Sequence, residues 1–431
     1  MENCLNQQER KSLVNPTQER TVLHNGITVI AVENTAADII TARIFVGAGS
    51  RYESREQAGL SHLLASVLTK GTERLEAGEI AEKVESLGAS LGADTTADYF
   101  LLSLKTVSAD FVEMLELAGE LLRSPTFPAR EVELERRLTI QAIRSQQEQP
   151  FTVAFEHLRD AIYQDHPYAL STLGYEATVS QLSRDDLQQY HRTYFRPDNL
   201  VITIVGRILP ERARALVEQV FGDWQAPSTR LPVLTLPTIT PKPSQSLVSQ
   251  PTQQSIVMLG YLAASVKSPD YATLKLLNTY LGNGLSSRLF VELREKRGLA
   301  YEVSAFYPTR LDVSHFVVYM GTAPENTAIA IDSLRVEVER LCHTILTTAE
   351  LQAAKNKLLG QYALGKQTNA QIAQVLGWYE TIGLGIEFDT TFTEAVAAVT
   401  LEQMLSVACQ YFIEPYLSLV GPAEALEGLN S

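Results

Sequence analysis

Cysteine is scarce in this chain: Cys4, Cys342 and Cys409 are the only three in 431 residues. They are too few and too scattered for a disulfide framework or a zinc ribbon. The first ten residues, Met1 to Arg10, contain no apolar core of the kind a Sec-type signal needs. No apolar run approaches the length of a transmembrane helix. Basic charge is also short. Lys and Arg number 36 against 50 Asp and Glu, a net charge of −14, which argues against general nucleic-acid binding and against docking on an anionic membrane. That charge would suit a basic partner or substrate, although an acidic pI is common among cytosolic proteins. A nucleotide fingerprint is missing too, because Gly282-Asn283-Gly284 between two helical stretches reads as a helix stop. The expectation is a soluble protein of a reducing compartment, most simply the cytoplasm, with no nucleic-acid partner.

What is present is ordinary in bulk and patterned in detail. Hydrophobic content of 45% and charged content of 20% are those of a globular protein, and the length predicts two large domains. Thr21 to Val32 alternates and β-branches around Asn25-Gly26, a strong hairpin signal. A third strand is expected over Ile39 to Val46, and an amphipathic helix follows. In that helix Leu60, Leu63, Leu64, Val67 and Leu68 form an apolar stripe, with His62 and Ser66 four apart on a neighbouring face. A helix near 77–87 leads to two strands with a polar turn near Asp94. Helices are expected near 108–123, 129–147, 151–164, 183–194 and 210–221, and a strand over Leu200 to Gly206. Strands, then helices, then strands argue for α+β layers rather than a doubly wound parallel sheet.

The composition changes between residues 225 and 252, where Pro227, Pro232, Pro237, Pro241, Pro243 and Pro251 mark an extended linker. The pattern then restarts: a strand at Gln254–Tyr261, helices near 268–282 and 286–297, strands at Ala300–Tyr307 and His315–Gly321, then long helices near 325–346, 348–366 and 369–384. The end of the chain echoes the earlier piece that runs from Leu182 to Gly206. In both, a capped helix runs into an aromatic pair (Tyr194-Phe195, Tyr411-Phe412), a proline (Pro197, Pro415) and a strand ending in glycine (Gly206, Gly421). The chain therefore reads as two copies of one fold, 1–224 and 253–431, joined by a proline-rich tether.

These residues resemble a family. Gly49-Ser50-Arg51-Tyr52-Glu53, Gly59-Leu60-Ser61-His62 and Lys70-Gly71-Thr72 are similar to the opening block of the pitrilysin/insulinase-type (M16) peptidases. The bacterial and mitochondrial processing-peptidase branch is the most similar in length. Leu87-Gly88-Ala89-Ser90, Asp98-Tyr99, Pro125-Thr126-Phe127, Val205-Gly206 and the run from Ser286 to Tyr301 continue the match in order. The resemblance implies two homologous α/β-roll halves, each an antiparallel-rich sheet covered by helices, and two such chains around a peptide chamber.

Active members resemble one another in carrying His-x-x-Glu-His on the first helix and a Glu ligand about 75 residues later. Here the frame reads His62-Leu63-Leu64-Ala65-Ser66, and the distal Glu-Glu pair is replaced by Gln141-Ala142. Glu148 stands where the family keeps a further acidic residue. Three protein ligands and an open position are needed for hydrolytic zinc, so the degenerate positions His62, Ala65, Ser66, Gln141 and Ala142 predict no metal in this chain. A substitute ligand set would have to come from residues such as Glu156, His157 or His166, which lie on a different segment. In the C-terminal half, Arg294 and Tyr301 match the Arg/Tyr pair that active peptidases need, and Phe290 matches an apolar residue of the same pocket. By itself Arg294 would be one of several charges on a solvated helix end. Leu87–Ala93 matches the strand to which peptide adds by edge pairing in active relatives, and reads equally well as an ordinary sheet strand. The resemblance thus implies a non-catalytic subunit that lends Arg294 and Tyr301 to a homologous partner holding zinc. A structural scaffold subunit or a peptide-binding homodimer is the alternative.

Overall fold

The computed structural model describes residues 18–427 and 429; the expected leaderless N-terminus and Cys4 lie outside them. The hairpin forms where Asn25-Gly26 placed it. Strands β1 (Gln18–Val22) and β2 (Thr28–Glu33) pair antiparallel, and Gly26 turns the chain with φ +99°. Four more strands complete the first sheet: β3 (Ile39–Val46), β4 (Ser90–Thr95), β5 (Phe100–Val107) and β6 (Leu200–Gly206), in the order β1-β2-β6-β3-β5-β4. The second sheet contains β7 (Gln245–Ser249), β8 (Ser255–Ala263), β9 (Glu302–Phe306), β10 (Ser314–Thr322) and β11 (Tyr416–Gly421), in the order β7-β11-β8-β10-β9.

Apart from β1 the two orders are the same. In each, the strand after the last capped helix inserts parallel to the first strand (β6 on β2, β11 on β7) and every other pairing is antiparallel. The capped helices behave as their sequences predict. Ser183 and Thr400 accept from the N–H groups of Asp186 and Gln403 at the starts of Arg184–Tyr194 and Leu401–Tyr411. The fold is α+β, two copies of one roll.

Three local readings are corrected. The polar turn falls at Thr96–Tyr99, where Thr96 N–H bonds the Tyr99 carbonyl at 2.8 Å. Asp94 sits inside β4, its side chain on an exposed face where a carboxylate is tolerated. The stretch read as linker to residue 252 contains β7, an edge strand held by parallel pairing with β11. The helix expected over 286–297 is π-helical from Phe290 to Lys296. The helix Phe388–Ala398 adds an element with no counterpart among the expectations.

Each half also lends a helix to the other. Pro150–Tyr163, from the first half, packs on β8 and β11 through Ala154, Leu158 and Ile162 against Met258, Tyr416 and Val420. Asn369–Thr381, from the second, packs on β3 and β6, with Ala373 and Leu376 against Ile30, Val32 and Val205. Contact is close at a glycine on both sides, and closest at Gly377. A Cβ on Gly377 would lie 2.3 Å from the Phe45 ring, and one on Gly260 would lie 2.8 Å from Ile162. Polar groups lock the same seam: Arg20 pairs with Glu380 at 2.6 Å, Tyr163 bonds His315 Nδ1 at 2.8 Å, and Asn34 bonds Asn369 at 2.7 Å. Cys342 and Cys409 meet on adjacent helices as free thiols, Cys409 donating to the Cys342 carbonyl at 3.0 Å. No single described helix is long and apolar enough to cross a membrane.

Candidate active-site residues in the two halves

The first candidate region is the helix Leu60–Leu68. It begins at Gly59, whose φ of +97° only glycine adopts without strain. Glu53 closes its N-terminus: the Gly59 and Ser61 N–H groups donate to the two carboxylate oxygens at 2.8 and 2.6 Å. Burial raises the Glu53 carboxyl to about 7, against the lowering effect of the bonds from Ser61, Gly59 and Leu60. The family-like block ending at Glu53 thus has a structural role that spacing alone did not reveal. A side-chain cap placed N-terminal to its helix by six residues carries no local sequence signal.

His62 is half-buried, and burial lowers its pKa, opposed by the nearby carboxylates of Asp94 on β4 and Glu135 on Ala129–Gln147. Glu135 is itself paired with Lys70 at 3.1 Å. Ala65 is buried, and the Ser66 hydroxyl donates to the His62 carbonyl at 3.1 Å, turned back onto its own helix. Gln141 and Ala142 are exposed on Ala129–Gln147, which packs against the first helix. Leu134 and Leu138 are exposed on the same helix, and Glu148 is its exposed C-cap. The structure therefore brings the five degenerate positions onto two packed helices, but the side chains are one imidazole, a methyl, a hydroxyl, an amide and a second methyl. Zinc does not fit this set. Among the described residues no group of three His, Cys, Asp or Glu side chains is arranged to hold a metal. Glu156 and His157 lie on the exchanged helix Pro150–Tyr163. His166 is buried at the seam, its Nδ1 accepting from Tyr168 N–H at 3.1 Å and its Nε2 3.5 Å from Asp312.

The second region is the π-helical segment Phe290–Lys296. Its extra residue per turn is rare, and such segments are frequent at functional sites. The segment is anchored from beneath by Glu337, which is 2% exposed and receives Arg288 Nε at 2.8 Å and Arg297 at 3.5 Å. Arg288 and Lys296 also hold Glu292 at 3.0 and 2.7 Å. Among the described residues, Arg294 is left out of this network: it makes no ion pair and no side-chain hydrogen bond, and its guanidinium lies over the Phe290 ring at 5.0 Å. The chain turns at Gly298, φ +63°, and reaches Tyr301, whose N–H bonds the Gly321 carbonyl at 2.8 Å. The Tyr301 side chain is 61% exposed. It lines an open recess of about 530 Å³ with Thr252, Gln253, Gln254 and Pro150, the last on the helix lent by the first half. Phe290, Arg294 and Tyr301 thus sit on one π-helix-to-strand connection, and neither polar head has a hydrogen-bond partner among the described residues.

The duplicated roll, two sheets of matching strand order with a helix exchanged in each direction, points to a class, the M16 peptidase fold. The comparisons agree. The family description "Insulinase (Peptidase family M16)" matches residues 28–176, and "Peptidase M16 inactive domain" matches residues 181–358. The chain belongs to the M16 peptidase family. It is 27% identical over 413 residues to the uncharacterized zinc protease YmxG of Bacillus subtilis, covering 94% of this chain and 98% of that protein. It is 28% identical over 407 residues to the uncharacterized zinc protease Rv2782c of Mycobacterium tuberculosis, covering 94% and 93%. A peptidase M16 inactive domain from Pseudomonas fluorescens superposes with a TM-score of 0.87 at 25% identity, covering 94% of this chain and 98% of that one. A protease from Helicobacter pylori shares the fold with a TM-score of 0.88 at 23% identity, covering 94% and 100%.

Proposed function

We propose that this chain is the non-catalytic subunit of a heterodimeric M16 zinc peptidase. It closes the peptide chamber and supplies Arg294 and Tyr301 to the active site of a homologous partner that carries His-x-x-Glu-His and the zinc. One observation carries the reading. Among the described residues the Arg294 and Tyr301 side chains are exposed and make no hydrogen bond or ion pair, beside a segment that the buried Glu337 holds in place, while the metal positions of the same chain keep His62 as their one donor of the expected type. A guanidinium and a phenol aimed at one scissile carbonyl donate hydrogen bonds to its oxygen and to the charge that develops on it. The substrate is a peptide or short unfolded segment small enough to enter the chamber.

The test mixes the purified chain with a homologous chain of intact zinc motif and follows peptide cleavage. Activity only in the mixture, lost with Arg294→Ala or Tyr301→Phe, supports the reading. An inactive mixture, with the chain copurifying in a larger complex, replaces it with a scaffold role.

A further inference from the structure

The first sheet has a face that its own helices leave open. Ile40, Ala42 and Ile44 of β3 point into the core beneath the helices, so Thr41, Arg43 and Phe45 point the other way. Register extends this second face across the sheet. Arg43 stands opposite Ser103 of β5, and Thr41 opposite Lys105. Ser90, Gly92 and Asp94 of the edge strand β4 stand opposite Lys105, Ser103 and Leu101. The exchanged helix Asn369–Thr381 covers β6 and β3 on this side, while Ser90, Gly92, Asp94 and Lys105 are exposed and nothing lies within 4 Å of a Cβ built on Gly92.

Two cations occupy this strip without partners. Arg43 is half-buried, its Nε covered and unbonded, and among the described residues neither it nor Lys105 forms an ion pair or a side-chain hydrogen bond. The Thr41 hydroxyl beside them is also buried without a partner. Burial lowers the Arg43 pKa, with no opposing carboxylate among the described residues. A guanidinium left half-desolvated and unpaired is costly to the fold, and a ligand carboxylate would recover that cost. Diagonal cross-strand neighbours such as Arg43 and Lys105 are roughly 7–8 Å apart at the backbone, a spacing within which two long side chains converge on one acidic group. The one carboxylate among the residues of this strip, Asp94, lies at the far edge on β4 and steers acidic groups inward, towards β3.

We infer that Arg43 and Lys105 form a binding strip for the acidic side chains of an extended peptide lying on the open face of the first sheet. The local charge thus runs opposite to the net charge of −14, which by itself suggested basic substrates. The inference deepens the chamber reading by naming its substrate class, and rests on it for the peptide's presence there.

The test is binding to the isolated full chain, with no partner and no turnover, so it reads separately from the Arg294 and Tyr301 experiment. A fluorescein-labelled, C-terminally amidated decapeptide containing Asp and Glu is titrated by anisotropy. Beside it are its Asn/Gln counterpart, a Lys/Arg counterpart and an uncharged peptide with a free C-terminus. The acidic peptide should bind about tenfold or more tightly than the other three, with affinity falling as salt rises. Arg43→Gln and Lys105→Gln should each weaken it about tenfold, whereas Arg43→Lys should keep most of the affinity. Circular dichroism and thermal unfolding check that each variant is folded. Equal binding of the acidic and Asn/Gln peptides, a preference for the basic peptide, or full affinity in folded Arg43→Gln/Lys105→Gln overturns the inference. Tight binding of the uncharged peptide with a free C-terminus reassigns the strip to a terminal carboxylate and overturns the side-chain form.

Discussion

The Arg294 guanidinium lies 5.0 Å from the centroid of the Phe290 ring, on the same face of one π-helical segment. The stack restricts the guanidinium without using any of its donors, so all remain available to a ligand. In a mixture with a zinc-bearing partner, Arg294→Ala should lower kcat/KM by about 10²-fold or more. Arg294→Lys should recover only part of it, because an ammonium lacks the planar fork. Phe290→Ala should cost about tenfold by freeing the side chain. Unchanged kinetics in Arg294→Ala would remove the pair from the chemistry.

The glycine at the seam gives a second expectation. On Gly377 a new methyl would meet the buried Phe45 ring at 2.3 Å and Thr203 Oγ1 at 2.5 Å, both on packed sheet positions. On Gly260 it would meet the ends of Ile162 and Leu158 at 2.8 and 2.9 Å, side chains that can turn aside. Gly377→Ala should therefore destabilise by about 1–3 kcal/mol and Gly260→Ala by less. Denaturant melts of the two variants check the order; equal losses would mean that the exchanged helices adjust alike.

Glu53 predicts a pH dependence of stability. Its carboxyl is raised from an ordinary 4.5 to about 7 by burial. Between those values the folded chain holds a proton that the unfolded chain has lost. Stability contributed by this group is then full below about pH 4.5, falls as pH rises towards 7, and is flat above. The whole change is on the order of 3 kcal/mol. Glu53→Gln keeps one acceptor for the helix N-terminus and removes the titration, so its stability should vary less between pH 5 and 8 than that of the parent chain. Thermal unfolding at the two pH values checks it, and parallel slopes would count against the assignment.

Much of this architecture is legible in the sequence because local signals and tertiary pairing agree. Ile39 to Val46 alternates and β-branches and is β3; Ser183 and Thr400 are caps in the sequence and caps in the structure. Illegible features are those decided by distant partners. Gln245–Ser249 has weak strand character and becomes β7 only because β11 offers an edge. Pro150–Tyr163 and Asn369–Thr381 read as amphipathic helices, yet amphipathicity does not say which sheet a helix will cover. The degenerate metal positions are visible in two short frames, His62–Ser66 and Gln141-Ala142, whereas Glu53 and Arg43 gain their meaning from residues that register and packing bring beside them.

The metal helix supplies the last expectation. A hydrolytic zinc needs three protein ligands and an open position, and this helix presents His62 beside a buried Ala65 and a Ser66 hydroxyl already bonded to the His62 carbonyl. A single half-buried imidazole, its pKa lowered by burial, is a weak monodentate ligand, and the nearby carboxylates of Asp94 and Glu135 complete no group of three that could hold a metal among the described residues. The isolated chain, incubated with zinc and passed through a desalting column, should retain far less than one equivalent by elemental analysis. Its peptide cleavage should be absent with or without chelator. His62→Ala should change neither result. Retention of one zinc per chain that is lost in His62→Ala, or chelator-sensitive cleavage by the unmixed chain, would show that donors assemble in solution. The chemistry would then return from Arg294 and Tyr301 to the helix that carries His62.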